Sequence, residues 1–591
     1  MKVYLQLILL SFLLFSAIAC DDDDSNNSNN INNTNNSNNT NNTNNTNNTN
    51  NSNNTNQVVN WGSCPSYIGS AGYECAQVMM PLDHNTADST PIEVFIYRKL
   101  ATVQTGKKQI WFLQGGPGGS GADFASVFEI YAETHPEWEM YSIDHRGVGN
   151  STRLSCAVEE NMQAFTYAAC AEDLVEQWGV DGLGKFNTTH AAHDVAKAID
   201  LTKVQDIPVF VYGVSYGTYW ALRYMQLYPE HAAGVILDSI CSPGHCRLDQ
   251  YDNNFNLNGQ SIFTGCDDDD TCAEKVSAQS TSAWEFAESV FDKIDAGTAC
   301  DGYYPFLDRT LMRNVLSMLS MDQGARVIIP ALLYRLNRCD AGDREVIEHL
   351  VTMMGGKKSG GAFDIIQNPE DLDASATLGA NIIFSELLGD WTFEEVSQIV
   401  ADALVSPDAS TGMVQAAENE EWPLYPDDGY MNRFGNTSMP LLMFNGTHDP
   451  QTTLAMAQPT GDYYTGASQT FITMPYSVHG VVYSAFTSDS VDSYTNGDPE
   501  YLTNNCGFLM MEDFINDPAA AISEACIDDL NPLEFSTTSQ FNQVVSYMLL
   551  GTTDMYEGGL MTKKINIPTR PLINPAIRPT LSRLLKKTFR K

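Results

Sequence analysis

The chain has 591 residues, which is longer than one ordinary domain. Hydrophobic residues make up 43% of it, which is enough for a large buried core. Its 73 acidic side chains outnumber 32 basic ones, and the formal net charge is −41. This balance argues against nucleic acid as a partner, because contacts to phosphate groups need lysine and arginine. It suits a soluble, exported protein whose acidic groups keep the surface hydrated.

The first residues predict a targeting signal. A basic start precedes an apolar stretch over residues 4–19, which is too short for an ordinary membrane span. Cys20 directly follows Ala17-Ile18-Ala19, which resembles the lipid-attachment sequence of bacterial lipoproteins with Ala in place of the preferred Leu at the third position before the cysteine. We predict a signal peptide over residues 1–19, lipidation of Cys20 and export to a bacterial cell envelope. Ordinary secretory cleavage after Ala19, giving a periplasmic or extracellular protein, is the alternative.

A low-complexity segment follows Cys20 and makes up most of residues 20–60. Four aspartates lead into a repeat of Asn, Thr and Ser that contains almost no apolar side chains. Such a segment cannot bury enough apolar surface to fold. We therefore predict a flexible linker that holds the globular body away from a membrane.

Residues 61–242 predict the first part of an α/β core. Apolar runs that are typical of strands lie near residues 92–98, 110–114, 140–144, 209–213 and 234–238. A glycine-rich loop follows the second run, and glycines let backbone N–H groups approach a substrate carbonyl closely. We expect Gly116 to supply one such N–H to an oxyanion hole.

The most specific motif is Gly213-x-Ser215-x-Gly217. It stands between a run that predicts a strand and a pattern that predicts a helix. The turn is too tight for side chains at its flanks, so glycines stand there and Ser215 is pushed out at the edge of the sheet. This arrangement is a nucleophile elbow, in which the N–H of the next residue, Tyr216, is the second oxyanion donor.

Residues 243–436 show helical periodicity and interrupt the predicted sheet. An insertion at this point predicts a helical cap that covers the site and excludes water.

The cysteines support an oxidising compartment. The chain has 13 of them, and removing Cys20 leaves 13 − 1 = 12, an even number that suits disulfides. Metal binding by these thiols is not expected, because they form no Cys-x-x-Cys pair. Although sequence alone does not establish connectivity, we expect near neighbours to pair as Cys64–Cys75, Cys156–Cys170, Cys241–Cys246, Cys266–Cys272, Cys300–Cys339 and Cys506–Cys526.

Residues 437–535 predict the second part of the core. Asp449 and His479 each stand just past an apolar run that predicts a strand. Their separation, 479 − 449 = 30, leaves room for one helix between two neighbouring strands. In α/β-hydrolases the chain order is nucleophile, acid, histidine, so we predict that Ser215, Asp449 and His479 form a catalytic triad. The alternatives are a helix-capping role for Asp449 and a surface position for His479.

Five ordered motifs carry a resemblance to a known family. They are the Cys-Ala start with Pro-Leu-Asp over residues 75–84, the glycine-rich loop 113–121, the Asp-x-Arg-Gly-x-Gly-x-Ser segment 144–151, the Asn-Gly-Thr-His-Asp-Pro segment 445–450, and the late pair Cys506 and Cys526. Together they resemble the prolyl and tripeptidyl aminopeptidases, which are serine peptidases of the α/β-hydrolase fold. The resemblance runs from about residue 64 to about residue 530.

The resemblance implies a mostly parallel sheet with helices on both faces and a large helical cap. It also implies release of amino acids or short peptides from the free N-terminus of peptides, through an acyl-enzyme and without a metal or cofactor. In the related aminopeptidases, carboxylates of the cap hold the amino terminus of the substrate. We expect Asp144 and Arg146 to hold the loops of the site rather than to perform chemistry.

Two alternatives remain open. The same triad cuts esters, so an esterase or lipase is the first, and a non-catalytic surface binding protein is the second. Residues 536–591 are predicted to be a C-terminal extension that ends in a basic tail without acidic residues.

Overall fold

The computed structural model describes residues 58–69, 71–160, 165–353, 356–359, 362–365 and 374–561. The predicted signal peptide, Cys20, most of the linker and the basic tail lie outside these residues. In the described part of the chain, no helix combines the length and the apolar character that crossing a bilayer requires.

Every strand that the sequence predicts in the first part of the core is present, and its observed ends lie within two residues of the predicted ones. In chain order the strands are β1 (Tyr73–Pro81), β2 (Pro91–Lys99), β3 (Lys108–Leu113), β4 (Trp138–Ile143), β5 (Val209–Val214), β6 (Gly234–Asp238), β7 (Gly356–Ser359), β8 (Ala362–Ile365), β9 (Leu441–Gly446) and β10 (Gln469–Met474).

One central sheet has the strand order β1-β2-β4-β3-β5-β6-β9-β10, while β7 and β8 form a separate hairpin. β2 pairs antiparallel with β1 and β4, and every other pairing in the central sheet is parallel. The prediction of a mostly parallel sheet is confirmed. Because parallel strands end at one edge, the loops after β3, β5, β6, β9 and β10 share that edge.

The α-helices alternate with these strands and fill the insertion between β6 and β9. In chain order they are α1 (Ala125–Thr134), α2 (Ala157–Glu160), α3 (Tyr167–Leu183), α4 (Thr188–Thr202), α5 (Tyr216–Leu227), α6 (Tyr251–Asp268), α7 (Asp270–Ser277), α8 (Ala283–Asp295), α9 (Arg309–Ser320), α10 (Ile329–Arg338), α11 (Ala341–Met353), α12 (Ala376–Ile382), α13 (Phe393–Asp402), α14 (Ser410–Glu418), α15 (Leu454–Tyr463), α16 (Val481–Ser484), α17 (Ser488–Asn496), α18 (Cys506–Asn516) and α19 (Gln540–Leu550).

The sheet separates two hydrophobic cores. Alternate residues of β3 point to opposite faces, so Phe112 joins one core and Trp111 the other. The first core contains side chains of α1 and α18, and the second contains side chains of α3, α4 and α5. Helices therefore cover both faces, as predicted, and the fully buried strands read as apolar runs.

Helices α6 to α14 lie where the sequence predicts the cap insertion. The sequence alone favours a solvated loop for the four consecutive aspartates 267–270, since the run lacks the spaced ligands and the glycine of a calcium loop, but the structure does not place them in one. They end α6 and begin α7, and the Asp269 carboxylate caps α7 by accepting the N–H of Cys272 at 2.9 Å. Aspartate is a favoured N-cap residue, which explains the difference.

The C-terminal extension packs against the helical insertion through residues 554–558. The buried guanidinium of Arg335 on α10 donates to the main-chain carbonyls of Asp554, Met555, Glu557 and Gly558. It also pairs with Asp343 on α11 at 3.0 Å. Long-range contacts of this kind give no periodic signal in the sequence.

All six predicted disulfides form in the structure: Cys64–Cys75, Cys156–Cys170, Cys241–Cys246, Cys266–Cys272, Cys300–Cys339 and Cys506–Cys526. Several disulfides in one chain are typical of proteins that fold outside the reducing cytosol.

Candidate active site

Ser215 occupies a sharp turn between β5 and α5. Its backbone has φ 59° and ψ −130°, a region that costs a residue with a side chain about 1–3 kcal/mol. A Cβ at Gly213 would collide with the carbonyl of Gly217, and a Cβ at Gly217 would collide with the carbonyl of Leu113. The two glycines are therefore required by space, as the motif predicts.

Asp449 and His479 are in direct contact. Nδ1 of His479 lies 2.8 Å from Oδ2 and 3.0 Å from Oδ1 of Asp449. The carboxylate also accepts the N–H groups of Gln451 and Thr452 and the hydroxyl of Thr452, at 2.8, 3.0 and 2.9 Å. His479 is fully buried and Asp449 is 3% exposed. As expected from their spacing, one helix, α15, connects the strands that precede them.

Hydrogen bonds at the end of β6 connect the serine turn with the histidine loop. The N–H of Ser215 donates to the carbonyl of Asp238 at 3.0 Å. The next residue, Ser239, accepts the N–H of Gly480 at its Oγ, at 2.7 Å. Ser215 and Gly480, the residue after His479, are thus bonded to two consecutive residues at the same edge of the sheet.

The glycine-rich loop after β3 passes over Ser215. A Cβ at Gly115 would lie 2.7 Å from Cβ and 3.1 Å from Oγ of Ser215, so only glycine allows this approach. The N–H of Gly115 donates to Oε1 of Gln114 at 2.8 Å. Gly116 follows in the loop, and Tyr216 is the first residue of α5. Both predicted oxyanion donors therefore lie on segments that adjoin Ser215.

Two buried charged residues hold the loops around the site. The Asp144 carboxylate accepts the hydroxyl of Ser120 at 2.8 Å and the N–H groups of Gly121 and Asn150 at 2.9 Å each. Burial raises the pKa of Asp144, and these hydrogen bonds oppose that rise. The contacts agree with the structural role that the sequence predicts for Asp144.

Arg146 has the same kind of role. Its Nε and Nη2 both lie 2.8 Å from the carboxylate of Asp194 on α4, and its Nη1 donates to the carbonyls of Leu82 and Lys185. Burial alone would raise the pKa of Asp194, but the charge of Arg146 and hydrogen bonds from Arg146 and His84 lower it to about 2.

A buried ion pair links the insertion to the helix of the nucleophile. Glu386 accepts hydrogen bonds from Arg223 and Tyr219 of α5 at 3.0 and 2.9 Å, and from Tyr425 at 2.8 Å. Both charged side chains are almost fully buried. This carboxylate is occupied by protein partners. The sequence alone did not indicate it, because its partners are distant in the chain.

No metal site is evident in the described ranges, which contain no group of three His, Cys, Asp or Glu side chains placed to hold an ion. The arrangement instead offers a serine on a strained turn, an imidazole paired with a carboxylate, and a glycine loop. These are the parts of nucleophilic catalysis by serine.

The sheet, the elbow and the sequence match define the class of protein. The profile described as alpha/beta hydrolase fold matches residues 110–256, from β3 into α6. The chain has the α/β-hydrolase fold, as predicted from the order of its motifs.

Similarity to named relatives is more specific than the match to the fold. A tripeptidyl aminopeptidase of Streptomyces coelicolor is 26% identical over 202 residues, which are 30% of this chain and 36% of that protein. A tripeptidyl aminopeptidase of Streptomyces lividans is 25% identical with the same coverage. The serine protease Hip1 of Mycobacterium tuberculosis is 26% identical over 212 residues, which are 32% of this chain and 40% of Hip1. The matched segment thus spans less than half the length of each relative, and over that segment this α/β-hydrolase chain is similar to tripeptidyl aminopeptidases and to the serine protease Hip1.

Proposed function

We propose that this protein is an exported serine peptidase of the aminopeptidase type, which releases amino acids or short peptides from the free N-terminus of peptides. The observation that carries the proposal is the contact of 2.8 Å between His479 and Asp449, at the sheet edge where Ser215 stands on its turn. The similarity to tripeptidyl aminopeptidases and to the serine protease Hip1 supports a peptide substrate.

In the proposed mechanism His479 takes the proton of Ser215, whose Oγ attacks the scissile carbonyl. Asp449 orients the imidazole and stabilises its charged form. His479 then protonates the leaving amine, and water hydrolyses the acyl-enzyme with the same histidine as base. No metal or cofactor takes part in these steps.

The N–H groups of Gly116 and Tyr216 would stabilise the oxyanion. The Tyr216 N–H belongs to the first turn of α5, where N–H groups have no acceptor within the helix. The preceding loop N–H, that of Gly115, is already bonded to Gln114, which makes Gly116 the better candidate. One such donor contributes about 3 kcal/mol to stabilisation of the transition state.

The cap carboxylate that would bind the substrate's amino group is not Glu386. Its oxygens accept hydrogen bonds from Arg223, Tyr219 and Tyr425, and its charge is neutralised by Arg223.

The proposal includes a signal peptide over residues 1–19 and a lipid anchor at Cys20. The experiment is labelling of the protein with a fatty acid in a bacterial host, for the wild type and for Cys20→Ser. Label on the wild type alone supports the anchor. Secretion of an unlabelled wild type would instead support ordinary cleavage after Ala19.

The catalytic proposal is tested with purified wild type and Ser215→Ala. The substrates are aminoacyl and tripeptidyl anilides, the same anilides with a blocked amino group, and simple esters. We expect the wild type to cleave only the anilides with a free amino group, and Ser215→Ala to lose at least about 10³-fold in kcat.

The other outcomes decide between the alternatives. Cleavage of esters alone would favour an esterase or lipase. A wild type that turns over no substrate and does not react with a serine-directed phosphonate would favour a binding protein.

A further inference from the structure

Asp238 is a buried carboxylate that the proposed catalytic steps do not use. It is the last residue of β6, and its side chain is fully buried. The carboxylate accepts the N–H of Val481 at 2.7 Å through Oδ1 and that of Val482 at 3.0 Å through Oδ2. Since these are the second and third residues after His479, the carboxylate fixes the chain directly beyond the imidazole.

The same residue also holds the serine turn. Its main-chain carbonyl accepts the N–H of Ser215, and its Oδ2 accepts the hydroxyl of Tyr212 on β5 at 2.7 Å. Asp238 thus connects the segment before the nucleophile with the segment after the histidine, which are more than 200 residues apart in the chain.

We propose that Asp238 is a positioning residue that holds the imidazole of His479 against the hydroxyl of Ser215. The inference rests on the proposed function, because it concerns proton transfer between these two side chains. General-base catalysis needs the two heavy atoms within about 2.6–3.2 Å, and a misplacement of about 1 Å costs about 10²-fold in rate. Hydrogen bonds to an ionised carboxylate are short and strong enough to maintain such a distance.

The surroundings of the carboxylate make its charge sensitive to pH. Burial raises the pKa of Asp238 to about 6, although hydrogen bonds from Tyr212, Val482 and Val481 and the charge of His479 lower it. The other titratable groups that interact with it are Tyr131 and Tyr483. Ionised at neutral pH, the carboxylate becomes protonated as the pH falls through about 6 and is then a weaker acceptor for the two N–H groups.

The first test replaces the carboxylate by an amide of the same size. In Asp238→Asn the NH₂ group opposes one of the two main-chain N–H groups. We expect kcat to fall at least about tenfold with KM changed less than about threefold, because the loss affects proton transfer and not substrate binding. Hydrogen exchange of the amides over residues 478–484 should become faster.

A matched control is Asp252→Asn. Asp252 on α6 is buried too, and its carboxylate accepts the N–H groups of Ala409 and Ser410 within the insertion. This variant loses the same kind of interaction away from both loops, so it should keep the kcat of the wild type. An equal loss of kcat in both variants, or an unchanged kcat in folded Asp238→Asn, would overturn the inference.

Tyr212→Phe provides a readout that does not require Asp238→Asn to fold. It removes a hydrogen bond that lowers the pKa of Asp238 while leaving the carboxylate in place. The acid limb of the profile of kcat/KM against pH should therefore move up by at least about 0.3 pH unit. An unmoved limb in folded Tyr212→Phe contradicts the inference.

Failure of the proposed function would give results different from failure of the role of Asp238. The wild type would then neither turn over peptides nor react with the phosphonate, and the role in proton transfer would fall with it. Hydrogen exchange would still report whether Asp238 holds the loop.

Discussion

At the scale of single residues, the contact between Asp449 and His479 determines what the imidazole can do. Two carboxylate oxygens face Nδ1, and three further donors from Gln451 and Thr452 fix the carboxylate itself. Because hydrogen-bond donors surround the Asp449 carboxylate, both of its oxygens must act as acceptors. Its amide analogue would place an NH₂ group against other donors and favour the wrong tautomer of His479.

We therefore expect Asp449→Asn to lower kcat by about 10³- to 10⁴-fold while KM changes little. Steady-state kinetics on a free-amine tripeptidyl anilide measures this. Asp462→Asn, on the exposed side of α15, is the control and should behave as the wild type. A loss below tenfold in Asp449→Asn would mean that another group orients His479.

At the scale of elements, the insertion is attached to the core through α5, the helix that begins at the nucleophile. Glu386 lies in the short π-helical turn Ile383–Leu387, and Arg223 lies two turns into α5. Their side chains are 0% and 2% exposed. Removing one partner of such a pair leaves an uncompensated buried charge, which is far more costly than loss of an exposed pair.

Glu386→Ala should lower the free energy of unfolding by about 3–5 kcal/mol, measured by urea denaturation. The control is Asp295→Asn, which breaks the more exposed pair between Arg309 and Asp295 and should cost less than about 1 kcal/mol. Similar losses in both variants would show that the buried pair does not hold the insertion to the core.

At the scale of the whole molecule, a cluster of histidines makes stability depend on pH. The ring centroids of His84 and His193 lie 5.0 Å apart, and those of His84 and His190 lie 5.9 Å apart. Asp83, Asp194 and Arg146 complete the cluster. Burial and then the charge of Arg146 lower the pKa of His190 to about 3, and burial and then the charge of His84 lower that of His193 to about 4.

These two histidines stay neutral in the folded protein, whereas in the unfolded chain they bind protons near pH 6.5. Their contribution to stability is complete above about pH 6.5 and is lost as the pH falls toward 4, because the unfolded state then binds more protons. Each histidine adds at most about 1.4 kcal/mol per pH unit to the slope of the free energy of unfolding against pH. Urea unfolding at pH 7, 6, 5 and 4 measures it.

The double variant His190→Gln, His193→Gln should flatten this dependence, and the exposed His245→Gln should not. An equal slope in all three proteins would show that other groups cause the loss of stability in acid.

Local patterns in the sequence were enough to predict much of this structure. The turn around Ser215 follows from two glycines between a strand pattern and a helix pattern. Asp449 and His479 could be chosen because each directly follows an apolar run, and the six disulfides because their partners are near neighbours. Their catalytic roles stay predictions.

The tertiary structure alone decided which distant groups meet. Asp238 contacts Val481 across 243 residues, and Arg223 contacts Glu386 across 163. The sequence by itself determined the elements, because their periods and turns depend on nearby residues. It did not determine these contacts, because they depend on the order of strands in the sheet and on where the insertion docks, and no local pattern records either.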